Sequence, residues 1–292
     1  MEDLFLSYLR NEKNRSELTI ERYAKSLRFF RDFFERECEG VTWETVDSDV
    51  IRAWMESMID AGHKATAVCA DLAAVRSFYR FALARGLVDR DPAHGVQGPK
   101  KEKPLPQFVK ESEMDRLLDD PEWGDDYNNV RVRTIIILLY EAGLRRSELT
   151  GLDDRDVDLE ACQLKVTGKR NKQRIIPFGP EVKEQLQKYI ALRDEKALRT
   201  TDALFVDKRG GRISGDEVYC LVRKKLGEVT TLKKRSPHVL RHSFATALLN
   251  HEAGLESVRQ LLGHESLETT EIYTHTTFEQ LRRVYKEAHP RG

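Results

Sequence analysis

The spacing of apolar residues predicts helices throughout the first hundred residues. After Thr19, which can cap a helix, apolar residues recur at helical spacing as far as Phe34. Two further amphipathic helices are predicted over 49–59 and 65–84. Gly86 then closes the last of them, because glycine commonly ends a helix. The pattern predicts a small N-terminal domain built of helices.

A proline-rich stretch then interrupts the helical pattern. Residues 91–107 read DPAHGVQGPKKEKPLPQ and contain four prolines and two glycines. Proline removes a backbone donor and restricts the residue before it, so this stretch predicts an extended linker. We place a helical domain at 1–94, the linker at 95–107 and a second domain at 108–292.

The second domain has a mixed pattern. A buried helix is predicted over 130–140, and another helix over 182–192. Between them, short apolar stretches at 164–166 and 175–177 flank a polar turn and predict a β-hairpin. Nearly everything after residue 218 has a helical pattern. The predicted fold class is therefore mainly α with a small β-sheet or hairpin, an α+β arrangement in the second domain.

The charges balance overall but are segregated along the chain. There are 49 basic and 49 acidic residues, which give a net charge of +0. Phosphate contacts need only a local basic surface, so this balance does not exclude DNA as a partner. Basic clusters occur at 165–174 and 223–235. For either cluster alone, an ordinary solvated surface is the alternative interpretation.

Several features predict a cytoplasmic protein without a membrane segment. The longest apolar run, 135–140, is far shorter than the roughly 20 residues that span a bilayer. The N-terminus is acidic and lacks a small-residue cleavage site. The four cysteines lie far apart and are predicted to be reduced thiols, with spacings that do not suit zinc. The histidines 238, 242 and 264 also lack a carboxylate at metal-ligand spacing, so no metal site is predicted.

Basic side chains mark two stretches of the second domain. Arg145 and Arg146 lie where one helix ends and another begins, and a new helix N-terminus favours anions. The predicted hairpin tip carries four basic residues, whose long side chains can reach a phosphate. These are Lys169, Arg170, Lys172 and Arg174. Taken separately, a surface arginine explains the first stretch better than a site does, and an ordinary polar turn explains the second equally well.

Two later stretches carry histidines and a tyrosine. His238 and Arg241 are three residues apart, on one helix face, and together suit a phosphate. His264 follows a predicted helix end at Gly263, and Tyr273 lies in an unusually polar segment. The tyrosine could pack its ring on a core, or its hydroxyl could attack phosphorus and form a covalent intermediate.

Together these side chains could form a phosphoryl-transfer site that needs no metal or other cofactor. Cations can neutralise the charge that develops on phosphorus, and a lysine such as Lys169 can protonate the leaving oxygen. The positive side chains would thus supply the electrostatic stabilisation that a metal ion gives in other enzymes.

The same stretches resemble the motifs of tyrosine recombinases, the phage integrase family. GLRRSEL resembles the box of the first catalytic arginine, and TGKRNKQRIIPFG resembles the hairpin of the catalytic lysine. SPHVLRHSFAT resembles the H-x-x-R box, and LLGHESLETTEIYTH resembles the last box with its tyrosine. The N-terminal helices resemble the family's SAM-like core-binding domain. The resemblance covers nearly the whole chain and favours a simple Xer-like or small integrase type.

The resemblance assigns roles residue by residue. It implies Arg145 rather than Arg146 as the first catalytic arginine, and Lys169 as the catalytic lysine, with Lys172 as the fallback. The complete implied catalytic set is Arg145, Lys169, His238, Arg241, His264 and the nucleophile Tyr273. We also predict DNA contacts from four further basic residues, namely Arg76, Arg146, Lys172 and Arg174.

The resemblance also implies a reaction and an assembly. Tyr273 would form a 3′-phosphotyrosyl bond with double-stranded DNA, and strand exchange would pass through a Holliday junction in a homo- or hetero-tetramer on two sites. The helix predicted at 277–288 would dock on a neighbouring subunit, with packing on its own domain as the alternative. Dimer resolution and mobile-element integration both fit. A type IB topoisomerase-like enzyme and a DNA-binding protein without catalysis are the alternative functions.

Overall fold

A computed structural model gives the fold and describes residues 1–101, 107–120, 123–168 and 171–251, together with positions 257, 261, 262, 285 and 288. The chain divides into two compact units, Met1–Pro104 and Leu105–Gly292. Within the described ranges, no helix combines the length and the apolar character that crossing a membrane requires.

The described part of the first unit is helical. Its helices are α1 (Glu2–Asn11), α2 (Glu17–Glu37), α3 (Ser48–Asp60) and α4 (Ala65–Ala84). The apolar stripe of α2 faces a core rich in aromatic rings, where the ring centroids of Phe30 and Trp54 lie 4.7 Å apart. Helix α2 begins after Ser16, so Thr19 lies in its first turn and does not occupy the predicted capping position.

The second unit adds a small sheet to its helices. The helices are α5 (Glu111–Leu118), α6 (Tyr127–Glu141), α7 (Arg146–Thr150), α8 (Pro180–Lys196), α9 (Gly215–Val229) and α10 (Pro237–Asn250). The strands β1 (Val157–Asp158), β2 (Gln163–Thr167) and β3 (Gln173–Pro177) form an antiparallel sheet in the order β1-β2-β3. The mainly α fold with a small β-sheet confirms the predicted fold class.

Helix α6 is the centre of the second unit. Asp126 caps its N-terminus by accepting hydrogen bonds from the backbone amides of Asn128 and Asn129, at 3.0 and 3.2 Å. Its apolar run from Ile135 to Tyr140 is buried all round and packs in the same core as β2, β3, α8 and α9. This helix ends at Glu141, and the chain then turns towards α7.

Candidate active site

The site begins at the turn between α6 and α7. Gly143 adopts a φ of +58°, which glycine tolerates without a Cβ clash, and this conformation lets α7 start soon after α6 ends. Arg145 then occupies the N-cap position of α7. Its backbone amide donates to Glu148 Oε2 at 2.8 Å, and its Nη1 donates to Glu148 Oε1 at 2.6 Å. One glutamate therefore fixes both the backbone and the side chain of Arg145.

Glu148 is buried and also binds Arg174. Its side chain is 1% exposed, and Arg174 donates to both of its carboxylate oxygens, from Nη1 at 2.7 Å and from Nη2 at 2.9 Å. The third guanidinium nitrogen of Arg174, Nε, donates to the carbonyl of Leu261 at 3.0 Å. Such a bidentate, charge-assisted pair is among the strongest and most directional contacts in proteins.

The structure corrects one part of the prediction for Arg174, because its side chain is buried and not exposed at a hairpin tip. Side chains alternate between the two faces of a strand, and β3 turns Arg174 and Ile176 inward and Gln173 and Ile175 outward. Each of its guanidinium nitrogens already donates to a protein oxygen. The side chain is therefore committed to the interior of the second unit.

Arg241 joins the same cluster from α10. Its Nη1 donates to the carbonyl of Gly143 and lies 3.7 Å from Glu148 Oε2, while its Nη2 donates to the carbonyl of Leu262. The residue is buried, at 4% exposure. Arg145 and Arg241, which are far apart in sequence, thus meet at one carboxylate.

Mutual contacts shift the pKa values of this cluster. Burial by itself raises the pKa of a carboxyl group, but the hydrogen bonds and charge of Arg174, with those of Arg145, outweigh it and lower the pKa of Glu148 to about 2. Burial, followed by the positive charge of Arg145, lowers the pKa of Arg241 to about 9. At pH 7 the carboxylate is therefore ionised and Arg241 remains protonated, so three arginines share one negative charge.

His238 lies one helical turn before Arg241. Its ring is exposed, yet neighbouring protein atoms shield it enough that desolvation, followed by the charges of Lys234 and Arg241, lowers its pKa below the usual 6.5. Arg145 contributes to the same shift. His238 is therefore mainly neutral at pH 7, and the positive charges of both arginines act on its ring.

Three of the predicted catalytic residues, Lys169, His264 and Tyr273, lie outside the described residues. Lys169 and His264 each follow within two residues of a described residue in the sequence. A Cβ built on Gly168, the residue before Lys169, would lie 3.5 Å from Glu148 Oε1. The carbonyl of Leu262, two residues before His264, accepts a hydrogen bond from Arg241.

The other predicted DNA contacts are placed differently. Arg146 is exposed, and its Nη1 donates to the carbonyl of Gly215 at 3.2 Å and to Asp216 at 3.3 Å. Lys172 is exposed beside the hairpin turn. In the first unit, Arg76 is half-buried and donates from Nη2 to the carbonyl of Val96. Arg76 therefore also anchors the chain segment that follows α4.

Glu148 was not among the predicted residues of the site. A glutamate three residues after the start of a helix commonly accepts from the backbone amide at the N-cap, so its spacing from Arg145 could have indicated the first contact. Its pairing with Arg174 joins positions 26 residues apart, and local spacing carries no signal of that contact.

Comparison with known proteins agrees with this geometry. The phage integrase family matches residues 107–280, and the N-terminal SAM-like domain of phage integrases matches residues 3–86. The tyrosine recombinase XerC of Chlorobaculum tepidum is 38% identical over 314 residues, which cover 99% of this chain and 94% of that protein. XerC of Pelotomaculum thermopropionicum is 38% identical over 300 residues, covering 99% of this chain and 98% of that protein.

A solved structure extends the likeness to the fold. The XerH site-specific recombinase, bound to a palindromic difH substrate in a post-cleavage complex, aligns with a TM-score of 0.71 at 22% identity. The alignment covers 97% of this chain and 83% of that one. The resemblance drawn from the sequence motifs is confirmed. The chain belongs to the phage integrase family and is a Xer-like tyrosine recombinase.

Proposed function

We propose that this protein cuts and rejoins double-stranded DNA at specific sites through a covalent bond between Tyr273 and a 3′ phosphate. One observation carries the proposal: Arg145 and Arg241 converge on Glu148, beside the residues that lead to Lys169 and His264. The single carboxylate leaves this cluster of arginines with excess positive charge, which suits a phosphodiester. The XerH complex with difH supports DNA as the partner.

The proposed chemistry needs only side chains of the chain. The Tyr273 oxygen attacks phosphorus and the bond to the 5′ oxygen breaks, while Lys169 gives that oxygen its proton. His238, which is mainly neutral at pH 7, can accept the proton of the phenol. Arg145, whose side chain is 30% exposed, and the buried Arg241 stabilise the charge on the phosphoryl oxygens. No metal or other cofactor takes part in the proposed reaction.

Rejoining reverses the cleavage step. The 5′-hydroxyl of a partner strand attacks the phosphotyrosine, which keeps the energy of the broken phosphodiester, so ATP is not required. We propose that two such exchanges pass through a Holliday junction in a homo- or hetero-tetramer on two sites. The matches to XerC proteins over 99% of this chain support a Xer-type reaction. The proposed location is the cytoplasm.

Covalent trapping on a nicked suicide substrate tests the nucleophile. Wild type is expected to form an adduct with DNA that survives SDS, whereas Tyr273→Phe is expected to bind the same DNA and form none. Tyr219→Phe, which alters an exposed tyrosine on α9, serves as the matched control and is expected to form the adduct. An adduct in Tyr273→Phe would overturn the assignment. Relaxation of a supercoiled plasmid without a recombination site would instead favour a topoisomerase-like enzyme.

A substrate with sulfur in place of the leaving 5′ oxygen tests the choice between Lys169 and Lys172. A thiol with a pKa of about 8.5 leaves without the proton that an alkoxide needs. We expect Lys169→Met to cleave the oxygen substrate poorly and the sulfur substrate well. Lys172→Met is expected to show no such difference between the two substrates. The reverse pattern would assign the proton donor to Lys172.

A further inference from the structure

We propose that Arg174 is a positioning residue for the cleavage step rather than a contact to DNA. The inference rests on the proposed function and assigns a role to a side chain that the chemistry above does not use. Arg174 lies on β3, five residues after Lys169 in the sequence, but its side chain is only 6% exposed. The hydrogen-bond partners of Arg174 are protein oxygens, and they indicate its role in the site.

Arg174 connects three parts of the site. Its bidentate pair with Glu148, at 2.7 and 2.9 Å, ties β3 to α7 and so to Arg145, which Glu148 also binds. Its third bond, from Nε, reaches the Leu261 carbonyl at 3.0 Å. Leu261 is three residues before His264 in the sequence. Displacing this one guanidinium group would release the hairpin, α7 and the segment leading to His264 from one another.

Arg241 reinforces the same connection. It donates to the carbonyl of Leu262, so two adjacent carbonyls are held by two arginines, and both arginines lie against Glu148. A carbonyl pair held from two sides has little freedom to rotate. The chain that leads to His264 therefore starts from a position fixed by the same carboxylate that fixes Arg145.

Arg174 also affects how the charge of Glu148 is shared. It donates to both carboxylate oxygens, while Arg145 donates its Nη1 to Oε1 and Arg241 lies 3.7 Å from Oε2. Without Arg174, the buried carboxylate would lose two of its donors and draw Arg145 and Arg241 closer. Both arginines would then be less available to the phosphate of the proposed reaction. Arg174 thus keeps them available by satisfying Glu148 itself.

This role predicts that a change at Arg174 affects cleavage more than DNA binding. A displacement of about 1 Å in an active site can lower a rate on the order of 100-fold. We therefore expect Arg174→Gln to lower single-turnover cleavage at saturating DNA on the order of 100-fold, with its Kd for DNA within about 3-fold of wild type. Arg174→Lys keeps the charge but cannot form the bidentate pair, so we expect an intermediate rate.

Arg193 provides a matched control for loss of a buried ion pair. It is 1% exposed and binds both oxygens of Asp154, at 2.6 and 3.2 Å, in the same unit but without contact to Glu148 among its described partners. Arg193→Gln is expected to lower the melting temperature to a similar extent. Its cleavage rate, corrected for the folded fraction, is expected to stay within about 3-fold of wild type.

The dependence of DNA affinity on salt separates positioning from DNA contact. Loss of one phosphate contact lowers the slope of log K against log salt by about 0.9, whereas a positioning residue leaves the slope unchanged. A reduced slope together with wild-type cleavage at saturation would make Arg174 a DNA contact and overturn the proposal. Equal rate losses in Arg174→Gln and Arg193→Gln would also overturn it, because the role would then be stability alone.

The failure of this inference can be told apart from failure of the proposed function. If wild type forms the Tyr273-dependent adduct and Arg174→Gln forms it equally fast, only the positioning role is wrong. If wild type forms no adduct on the nicked substrate, both are wrong. Should Arg174→Gln fail to fold, the comparison of Arg174→Lys with Arg193→Lys on the same substrates decides the question in the same way.

Discussion

At the scale of single residues, Gly143 occupies a position where both the backbone conformation and the close packing require glycine. Its φ is +58°, and a Cβ placed there would lie 2.4 Å from Cδ1 of Phe244. Its carbonyl also accepts from Arg241. We expect Gly143→Ala to lower the free energy of unfolding by about 2–5 kcal/mol, from strain and overpacking together, and to slow cleavage by displacing Arg241.

Chemical denaturation and single-turnover cleavage measure these two effects. Gly86 is the matched control, because its φ is +65° but nothing lies within 4 Å of an added Cβ. Gly86→Ala is expected to destabilise by about 1–2 kcal/mol, the cost of the left-handed conformation alone. If Gly143→Ala costs no more than Gly86→Ala, the packing against Phe244 does not constrain this turn.

Glu148 is the residue whose contribution to stability should depend most clearly on pH. Its pKa is lowered from 4.5 to about 2 in the folded state, so folding favours its ionised form. The resulting contribution to the free energy of unfolding is about 3 kcal/mol. It is fully present above 4.5, the pKa of Glu148 in the unfolded state, and is lost as pH falls from about 4.5 to about 2. Glu148→Gln should therefore be less stable than wild type at pH 7, and this difference should shrink in acid.

Urea unfolding of both proteins between pH 7 and the onset of acid unfolding measures that difference. Glu195→Gln, which changes an exposed carboxylate paired with Lys196, is the control and should change the free energy of unfolding by less than about 0.5 kcal/mol. A difference between wild type and Glu148→Gln that stays constant down to pH 3 would contradict the lowered pKa of Glu148.

At the scale of elements, the β2–β3 hairpin depends on a left-handed residue near its tip. Asn171 has a φ of +60°, and the Gly168 amide donates to the carbonyl of Lys172 at 2.8 Å to close the turn. Asparagine tolerates this conformation, whereas a β-branched residue does not. We expect Asn171→Val to destabilise the hairpin by about 1–2 kcal/mol and to slow cleavage, because Lys169 is only two residues away in the sequence.

Asn171→Gly keeps the conformation and is expected to retain both stability and cleavage. Gln173→Val introduces the same side chain two residues later, on an exposed and extended position of β3, where β-branched residues are favoured. Stability measurements and single-turnover cleavage of the three variants test the role of the turn. Equal cleavage by Asn171→Val and Asn171→Gly would show that the tip does not set the position of the lysine.

The elements themselves were largely predictable, but the orientation of one strand was not. Apolar spacing predicted a helix over 65–84, and α4 has these bounds. The alternation of β3 was ambiguous because Ile175 and Ile176 are adjacent and equally apolar. Ile175 is 42% exposed, whereas Arg174 beside it is buried, since the ion pair with Glu148 compensates for the burial of its charge. The expectation of an exposed Arg174 was wrong for this reason.

At the scale of the whole molecule, the motifs predicted the family because several of them occur along the chain in the order that the family shows. The contacts that assemble the site join residues that are far apart in the sequence, so the motifs did not indicate them. Arg241 reaches Gly143 across 98 residues, and Arg174 reaches Leu261 across 87. The direction of a buried side chain depends on how elements pack, which short-range periodicity does not encode.

Two described residues near the end of the chain lie in a buried cluster. Tyr285 and Ala288 are 2% and 4% exposed and pack in one cluster with Phe244, Leu248 and Leu262 of the same chain. This arrangement corresponds to packing on its own domain, the alternative to docking on a neighbouring subunit. Docking of residues 277–288 on a neighbouring subunit stays a prediction.

Tyr285→Ala tests the packing in the free protein. Truncating a buried aromatic side chain costs about 3–5 kcal/mol, so we expect a loss of this size in unfolding of the monomer, measured at concentrations where no oligomer forms. Tyr219→Ala, at a tyrosine that is 36% exposed, should cost less than about 1 kcal/mol. If the segment docks only on a neighbour, Tyr285→Ala will leave monomer stability unchanged and will weaken only cooperative binding to paired DNA sites. A loss in both measurements is the result expected when one segment alternates between its own domain and a neighbouring subunit.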